Sequence, residues 1–178
     1  AAFANEAFFE GNSSSVYLFK NGHYIRYQKG STQAEEGYPK EITEETWPEL
    51  SVYRDDITAA LNWGNGIVYF FLSNGEYLKY NLRQQKMLEG YPKKVSNTNW
   101  VGLGPYASSI SAAIKYNDNY AYFFLNNGQY LLYDNTMDQI DPRYPKSLDG
   151  TEWNGLNLSE NYVSSIADWS NGRINIFL

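Results

Sequence analysis

The sequence predicts an all-β protein, built from small antiparallel sheets that pack radially as a propeller. The first observation is a Tyr-Pro-Lys element that occurs at 38–40, 91–93 and 144–146, so that its tyrosines are two steps of 53 residues apart. The second is a tryptophan nine residues after each tyrosine. A fixed period near 50 residues is typical of repeat architectures. Short aromatic runs between turn residues fill the rest of each period, and such runs are typical of strands.

Each period opens with a segment of small and apolar residues. The four segments are 4–8, 57–61, 110–114 and 163–167. Small side chains suit a strand at which neighbouring backbones crowd together, as around a narrow axis. We therefore predict four innermost strands, one in each of four repeats.

The middle of each period predicts a hairpin. Aromatic runs follow the opening segments at 16–19, 68–71, 121–124 and 174–177. They are apolar on both faces, which indicates buried strands. An Asn-Gly turn then recurs at 21–22, 74–75 and 127–128, and this dipeptide between apolar runs is a strong hairpin signal. The strands after it alternate polar and apolar residues, so we expect them to be half-buried.

The Tyr-Pro-Lys element ends each complete period. Proline cannot donate a hydrogen bond to a sheet, so the strand that it introduces belongs at an edge. Each complete period is thus a sheet of about four strands. Such sheets bury both faces only when they pack against one another, which favours a propeller.

Composition limits the function further. The net charge of −6 disfavours nucleic acid and anionic membranes as partners, because both require a basic surface. The chain has no cysteine, which excludes disulfides, thiolate chemistry and cysteine-based zinc sites. It also has no apolar run of about 18 residues, so we expect no membrane span. These features predict a soluble protein that is either cytoplasmic or secreted without disulfides.

These motifs together resemble the hemopexin-like repeat. They are the Ala-Ala opening strand, Val-Tyr-Phe-Phe, Asn-Gly-x-Tyr-x-x-Tyr, Gly-Tyr-Pro-Lys and the tryptophan. The resemblance implies a four-bladed β-propeller whose innermost strands line a central tunnel. It covers residues 1–178 as one domain, with blades at about 4–54, 55–107 and 108–160 and a partial blade at about 161–178.

The fourth repeat stops after its two inner strands, which we predict at 163–167 and 174–178. The family often closes its ring with a disulfide between blades one and four, and this chain has no cysteine, so closure must come from packing. An exposed strand edge tends to find a partner. Either the chain is truncated, or the open edge of the fourth blade is paired in a homodimer.

The resemblance also implies an ion site in the tunnel. The family commonly has Asp as the second residue of the opening strand, where the tunnel can hold cations. The step of 53 residues places Asn5, Thr58, Ser111 and Ser164 there. Amide and hydroxyl oxygens without carboxylates predict weak binding of Ca²⁺ or Na⁺, and the alternative is a set of water hydrogen bonds. We expect no cofactor to be required.

Some members of the family bind haem. The one histidine, His23, follows a turn on an outer strand, and paired histidine ligation is impossible with a single histidine. We therefore predict no haem site and interpret His23 as a solvated turn residue.

Aromatic residues that lie outside the repeated strand motifs are the candidates for a ligand site. They are Trp63, Tyr116 and Trp169 after the inner strands, and Tyr53, Tyr106 and Tyr162 before them. A ring of aromatics at the tunnel mouth could hold a sugar or a polyamine by stacking and cation–π contacts. The alternative is that they pack on the next blade. The periodic tryptophans at 47, 100 and 153 are interpreted as core.

No pattern in the sequence indicates catalysis, since there is no nucleophile with a base, no phosphate loop and no metal-ligand cluster. The leading hypothesis is a non-enzymatic binding module that recognises a protein or a small ligand through loops at the tunnel mouth. A carbohydrate-binding lectin and a storage or structural protein are the alternatives.

Overall fold

The computed structural model describes residues 1–5, 14–28, 30–149, 153, 162–169 and 174–178, which form four antiparallel sheets. Each sheet is called a blade below, in chain order. Blade 1 contains β1 (Ala2–Asn5), β2 (Ser15–Lys20), β3 (His23–Gln28) and β4 (Lys40–Glu41). Blade 2 contains β5 (Ile57–Gly64), β6 (Ile67–Leu72), β7 (Glu76–Asn81), β8 (Lys86–Met87) and β9 (Lys93–Lys94).

The second half of the chain repeats this order. Blade 3 contains β10 (Ile110–Lys115), β11 (Tyr120–Leu125), β12 (Gln129–Asp134), β13 (Gln139–Ile140) and β14 (Lys146–Ser147). Blade 4, as far as the structure describes it, contains β15 (Ser165–Asp168) and β16 (Ile174–Phe177). Short 3₁₀ helices at Ser51–Tyr53 and Gly104–Ser109 precede the inner strands of blades 2 and 3. No helix of the described residues is long and apolar enough to cross a membrane.

The innermost strands of the four blades form a closed ring. Strand β1 contacts β5 and β15, and β10 contacts the same two strands from the opposite side. The inner strands can approach closely because both of their faces carry small side chains, and Ala59, Ala60, Ala112 and Ala113 are almost fully buried. This confirms the predicted all-β propeller of four sheets.

The Tyr-Pro-Lys element builds the outer edge of each complete blade. Its tyrosine meets a tyrosine of the third strand edge to face, at 5.4 Å between ring centroids, in the pairs Tyr38–Tyr24, Tyr91–Tyr77 and Tyr144–Tyr130. Its lysine ammonium lies 4.8–4.9 Å from the centroid of the same tyrosine ring, which is cation–π geometry. A two-residue edge strand then begins at that lysine. The element is therefore a structural bend, as predicted.

The periodic tryptophans join neighbouring blades. Trp47 follows blade 1 and meets Phe19 of that blade and Tyr80 of blade 2, at 5.1 and 5.5 Å between centroids. Trp100 contacts Tyr77 of blade 2 and Tyr133 of blade 3 in the same way. Both tryptophans are at most 5% exposed, so the buried interface between blades depends on them.

Closure between blades 4 and 1 is achieved without a disulfide. Trp169, at the end of blade 4, packs edge to face on Tyr27 of blade 1 at 5.2 Å between centroids. Its indole nitrogen donates a hydrogen bond to the Ser31 carbonyl oxygen at 3.0 Å. Ala2, Val16 and Ala167 form the buried centre of this junction. Closure therefore rests on packing and one indole hydrogen bond.

The register of blade 1 differs from the 53-residue step. Ala2 pairs with Leu18, and Ala60 pairs with Phe70 at the same place in blade 2, so the inner strands are offset by 58 residues. Asn5 pairs with Ser15, whose counterpart Ile67 pairs with Gly64 after a β-bulge, so Asn5 lies at the place of Gly64 and its predicted equivalence to Thr58 is wrong. The reason is that β1 ends at Asn5 and β2 begins only at Ser15, a much longer connection than the one in blade 2. Residues 6–8 of the predicted inner segment 4–8 lie outside the described residues.

Candidate functional site

A cavity of about 330 Å³ lies on the axis of the ring and is called the central cavity below. All four innermost strands contribute to its wall, together with the turn at 64–66 in blade 2. The lining residues are Ala2, Phe3, Ala4, Asn5, Ala60, Asn62, Gly64, Asn65, Gly66, Ala113, Ile114, Lys115, Ile166, Ala167 and Asp168. The wall is alanine-rich along the strands and polar where the strands end.

The polar end of the central cavity has one buried group without a partner. Asn5 is 3% exposed, and its side-chain oxygen Oδ1 accepts no hydrogen bond within the described residues. Its neighbour in the wall, Asn62, is satisfied, because its Nδ2 donates to the Ala4 carbonyl oxygen at 2.7 Å and its Oδ1 accepts from the Gly64 amide at 3.0 Å. A buried acceptor without a donor costs about 1–3 kcal/mol. A ligand or water at this end would remove that cost.

Three of the four predicted ion ligands have a different, shared role. Thr58, Ser111 and Ser164 donate hydroxyl hydrogen bonds of 3.1–3.2 Å to the carbonyl oxygens of Phe71, Phe124 and Phe177, each 13 residues later. Thr58 and Ser111 occupy the β-bulges of their strands. Neither they nor Ser164 line the central cavity.

The four predicted ion ligands are therefore not brought together. Asn5 lies at the polar end of the cavity, and the hydroxyl residues lie at the opposite ends of their inner strands. The cause is the shifted register of blade 1. Among the residues that the structure describes, no group of three or more His, Cys, Asp or Glu side chains could hold a metal ion.

The predicted aromatic candidates do not form one ring. Tyr53 and Tyr106 lie in the 3₁₀ helices before the inner strands and pack against the core. At the other ends of the inner strands, Trp63 lies in the last two residues of β5, and Tyr116 and Trp169 directly follow β10 and β15. None of the five lines the central cavity. Because the two groups lie at opposite ends of the strands, they cannot surround one mouth.

The individual surroundings of the candidates also differ. Tyr116 is 59% exposed and meets Tyr122 edge to face, and Tyr162 is 45% exposed. Trp169 packs on Tyr27 at the junction of blades 4 and 1. Trp63 is half-buried and lies within 6.5 Å, centroid to centroid, of Tyr69, Trp100 and Tyr133. Trp63 also lines a cavity.

That cavity is called cleft B and lies between blades 2 and 3, with a volume of about 200 Å³. Its lining residues are Trp63, Tyr69, Tyr77, Lys79, Asn99, Trp100, Tyr133, Asn135 and Asp138. Its aromatic rings lie beside the amides of Asn99 and Asn135 and the carboxylate of Asp138. Aromatic rings stack on the faces of a sugar, and amides and carboxylates bond its hydroxyls.

The equivalent position between blades 1 and 2 has a cavity of about 240 Å³, called cleft A. It is lined by Tyr17, Tyr24, Arg26, Tyr38, Lys40, Thr46, Trp47, Tyr80 and Gln85. The sequence does not predict this cleft, because its periodic tyrosines and tryptophans are typical of a core. The signal for it was available in the two cations that accompany those aromatics, Arg26 and Lys40.

His23 begins β3 and is exposed. Its Nδ1 lies 2.8 Å from the Asn21 carbonyl oxygen, to which it can only donate. The histidine is thus held at the turn.

The chain matches parts of longer curated proteins. It is 34% identical to the neutrophil collagenase of Homo sapiens over 104 residues, which cover 58% of this chain and 20% of the relative. It is 31% identical to the macrophage metalloelastase of Rattus norvegicus over 146 residues, which cover 82% of this chain and 28% of the relative. The chain therefore spans less than a third of the length of these relatives. No family model matches it.

Three solved structures share the architecture. The hemopexin fold protein CP4 from cow pea has a TM-score of 0.64 and 22% identity, covering 85% of this chain and 68% of its own. A plant albumin from Cicer arietinum showing hemagglutination has a TM-score of 0.64 and 20% identity, covering 83% and 66%. A plant lectin with two metal binding sites, also from Cicer arietinum, has a TM-score of 0.59 and 18% identity, covering 84% and 64%.

At these identities the solved structures establish the fold alone. They agree with the sequence relatives, with the 53-residue repeat and with the closed ring of four blades. Together these findings show that the chain is a hemopexin-like β-propeller.

Proposed function

We propose that this propeller is a non-enzymatic binding module, which takes a small polar ligand at the polar mouth of the central cavity. The observation that carries the proposal is the Asn5 side-chain oxygen, which is buried, lines the cavity and has no donor within the described residues. Buried polar groups in native proteins are almost always paired, so an unpaired acceptor in a cavity favours an external donor.

The surroundings of Asn5 favour a ligand with N–H or O–H donors. Lys115 and Asp168 line the same mouth, so charges of both signs are close to the ligand position. The Lys115 ammonium is bonded to Asp118 at 2.7 Å, which directs part of its charge away from the cavity. A short amine or a polyamine would satisfy the Asn5 oxygen with a charge-assisted hydrogen bond.

The test is calorimetric titration with a linear polyamine, a neutral monosaccharide and CaCl₂ as separate probes. We expect the polyamine to bind, and Asn5→Ala to weaken it about tenfold or more because a charge-assisted hydrogen bond is lost. Ser164→Ala is the matched control, since that side chain does not line the cavity. Equal polyamine binding by both variants, or none by the unmodified chain, would exclude this site.

Carbohydrate binding is the second candidate function, and cleft B favours it. Trp63 lines a cavity that also contains Asn99, Asn135 and Asp138. The similarity in fold to a plant albumin showing hemagglutination supports the same class of ligand.

A glycan array and a haemagglutination assay test this second function. We expect Trp63→Ala to abolish both signals, because the ring supplies the stacking surface, while Tyr116→Ala outside the cleft leaves them unchanged. An array without any bound glycan would reject the lectin and leave a protein ligand or a storage role.

A further inference from the structure

Cleft A and cleft B are built from equivalent residues of the repeat, and yet their chemistry differs. Tyr24, Trp47 and Tyr80 of cleft A correspond to Tyr77, Trp100 and Tyr133 of cleft B, each 53 residues later. The same aromatic frame therefore surrounds both cavities. What differs is the set of polar groups that the frame holds.

The first difference is the tryptophan N–H. Trp47 is 4% exposed, and its Nε1 has no acceptor within the described residues. The Trp100 indole of cleft B is not among the buried groups without a partner in the described residues, whereas Trp153, at the same place in the third repeat, is. Indole is a donor only, so a ligand oxygen in cleft A would satisfy the Trp47 N–H, which has no acceptor in the described part of the chain. A buried donor left in this state costs about 1–3 kcal/mol, which an acceptor in cleft A would recover.

The second difference is the residue five positions after the last tyrosine. In cleft B this is Asp138, whose carboxylate accepts the Tyr133 hydroxyl hydrogen at 2.6 Å. In cleft A it is Gln85, so the Tyr80 hydroxyl has a neutral amide there instead of a carboxylate. Both residues have the same left-handed backbone, with φ of 51° for Gln85 and 52° for Asp138. The neutral side chain of Gln85 and the charged side chain of Asp138 are thus held by the same backbone conformation.

The third difference is the number of cations. Arg26 and Lys40 line cleft A, and no carboxylate does among the described residues. Arg26 is paired with Glu35, at 2.8 Å from Nε to Oε2, so its charge is partly offset. Lys40 contacts the face of Tyr38 and leaves a positive charge at the rim. Cleft B has one lysine, Lys79, and the opposing Asp138 carboxylate.

Indole N–H, tyrosine hydroxyls, guanidinium and ammonium groups are all donors, and together they fit an acceptor-rich, negatively charged ligand. A volume of about 240 Å³ has room for a single small ring rather than for a peptide or an oligosaccharide. We propose that cleft A is a binding site for a sugar acid, whose carboxylate is held by Lys40, Arg26 and the Trp47 N–H. The site is separate from the central cavity and from cleft B.

Titration calorimetry with glucuronate is the test, with glucose and inorganic phosphate as comparison probes. We expect glucuronate to bind at least tenfold more tightly than glucose, because the carboxylate adds a charge-assisted hydrogen bond. Phosphate separates anion attraction from recognition of the ring, and it should bind more weakly than glucuronate. A polymer of uronic acid added in a further titration distinguishes a free acid from one that is carried on a polysaccharide.

Gln85→Asp is the decisive variant, because it places in cleft A the carboxylate that Asp138 supplies in cleft B. Residue 85 has the same φ as Asp138, so an aspartate fits its backbone conformation. We expect it to weaken glucuronate binding at least tenfold and to leave the fold intact. Lys79→Gln in cleft B is the matched control and should leave glucuronate binding unchanged.

The Trp47 indole N–H provides a second readout that does not depend on affinity. Its proton resonance, assigned through Trp47→Phe, should shift on addition of glucuronate. Glucuronate that fails to bind, binds equally to Gln85→Asp, or leaves this resonance in place would overturn the proposal. The indole donor would then be satisfied by ordered water only.

Discussion

The Tyr133 hydroxyl donates to the Asp138 carboxylate at 2.6 Å, whereas the equivalent Tyr80 has Gln85 at that place. Burial, followed by this hydrogen bond to the carboxylate, raises the pKa of Tyr133 far above its usual value. Burial also raises the pKa of Tyr80, with a further contribution from Glu49 and Glu44. The aromatic frame between the blades is therefore built from phenols that keep their protons.

Alkaline pH should unfold the propeller through these phenols. Their pKa is higher in the native state than the value of 10.0 in the unfolded chain, so their contribution to stability is complete below about pH 10. It is lost as the pH rises above that value, because only the unfolded chain can release the protons. Urea unfolding curves from neutral to alkaline pH measure the loss, and Tyr133→Phe should reduce its slope. A free energy of unfolding that stays constant above pH 10 would contradict the prediction.

Ser111→Ala should destabilise the junction of blades 3 and 4. The buried hydroxyl lies 2.7 Å from the Val163 carbonyl oxygen and 3.2 Å from that of Phe124, so it joins the two blades. Its loss leaves a buried carbonyl oxygen without a donor, which costs about 1–3 kcal/mol. Ser164→Ala, in which the lost contact lies within blade 4, is the control and should cost less. Chemical denaturation of both variants gives the comparison.

Gly102→Ala should cost more stability than Gly37→Ala, although both glycines have a left-handed backbone, with φ of 84° and 81°. A Cβ on Gly102 would lie 3.0 Å from the Cβ of Ile140, whereas a Cβ on Gly37 would meet nothing within 4 Å. The backbone strain is common to both and is about 1 kcal/mol, so the difference isolates the clash. Thermal melts should place Gly102→Ala lower, and equal melting temperatures would show that Ile140 moves aside without cost.

Calcium should have little effect on stability. The described residues hold no cluster of three acidic or histidine side chains, and oxygen ligands without carboxylates bind Ca²⁺ weakly. We expect melting temperatures in CaCl₂ and in a chelator to agree. A clear rise with Ca²⁺ that is lost in Asn5→Ala would instead assign a cation to the central cavity.

The repeat made the fold predictable. Because Tyr38, Tyr91 and Tyr144 recur at a fixed step, three blades could be aligned from one, and their strands lie where the aromatic runs and Asn-Gly turns indicated. The same step failed in blade 1, where the longer connection between β1 and β2 moves Asn5 to the opposite end of its strand. A period records spacing along the chain, and an insertion changes the spacing without changing the fold.

The candidate sites were less predictable for a different reason. Trp63 lies outside the repeated strand motifs and is a predicted ligand residue, and cleft B contains it. Trp47 obeyed the period and was assigned to the core, which is correct for its ring but overlooks its N–H. Whether a buried donor has an acceptor depends on distances of a few tenths of an ångström, which no spacing along the chain encodes.

The shared backbone of Gln85 and Asp138 has a consequence for how such a protein can change. Cleft A and cleft B each take their side chains from two adjacent blades, at equivalent positions of the repeat. After a duplication, one copy can therefore acquire a new specificity by a single exchange while its sister keeps the old one. The ligand specificity of each cleft can therefore change independently, and an engineer could transfer it by placing the residues of one cleft in another.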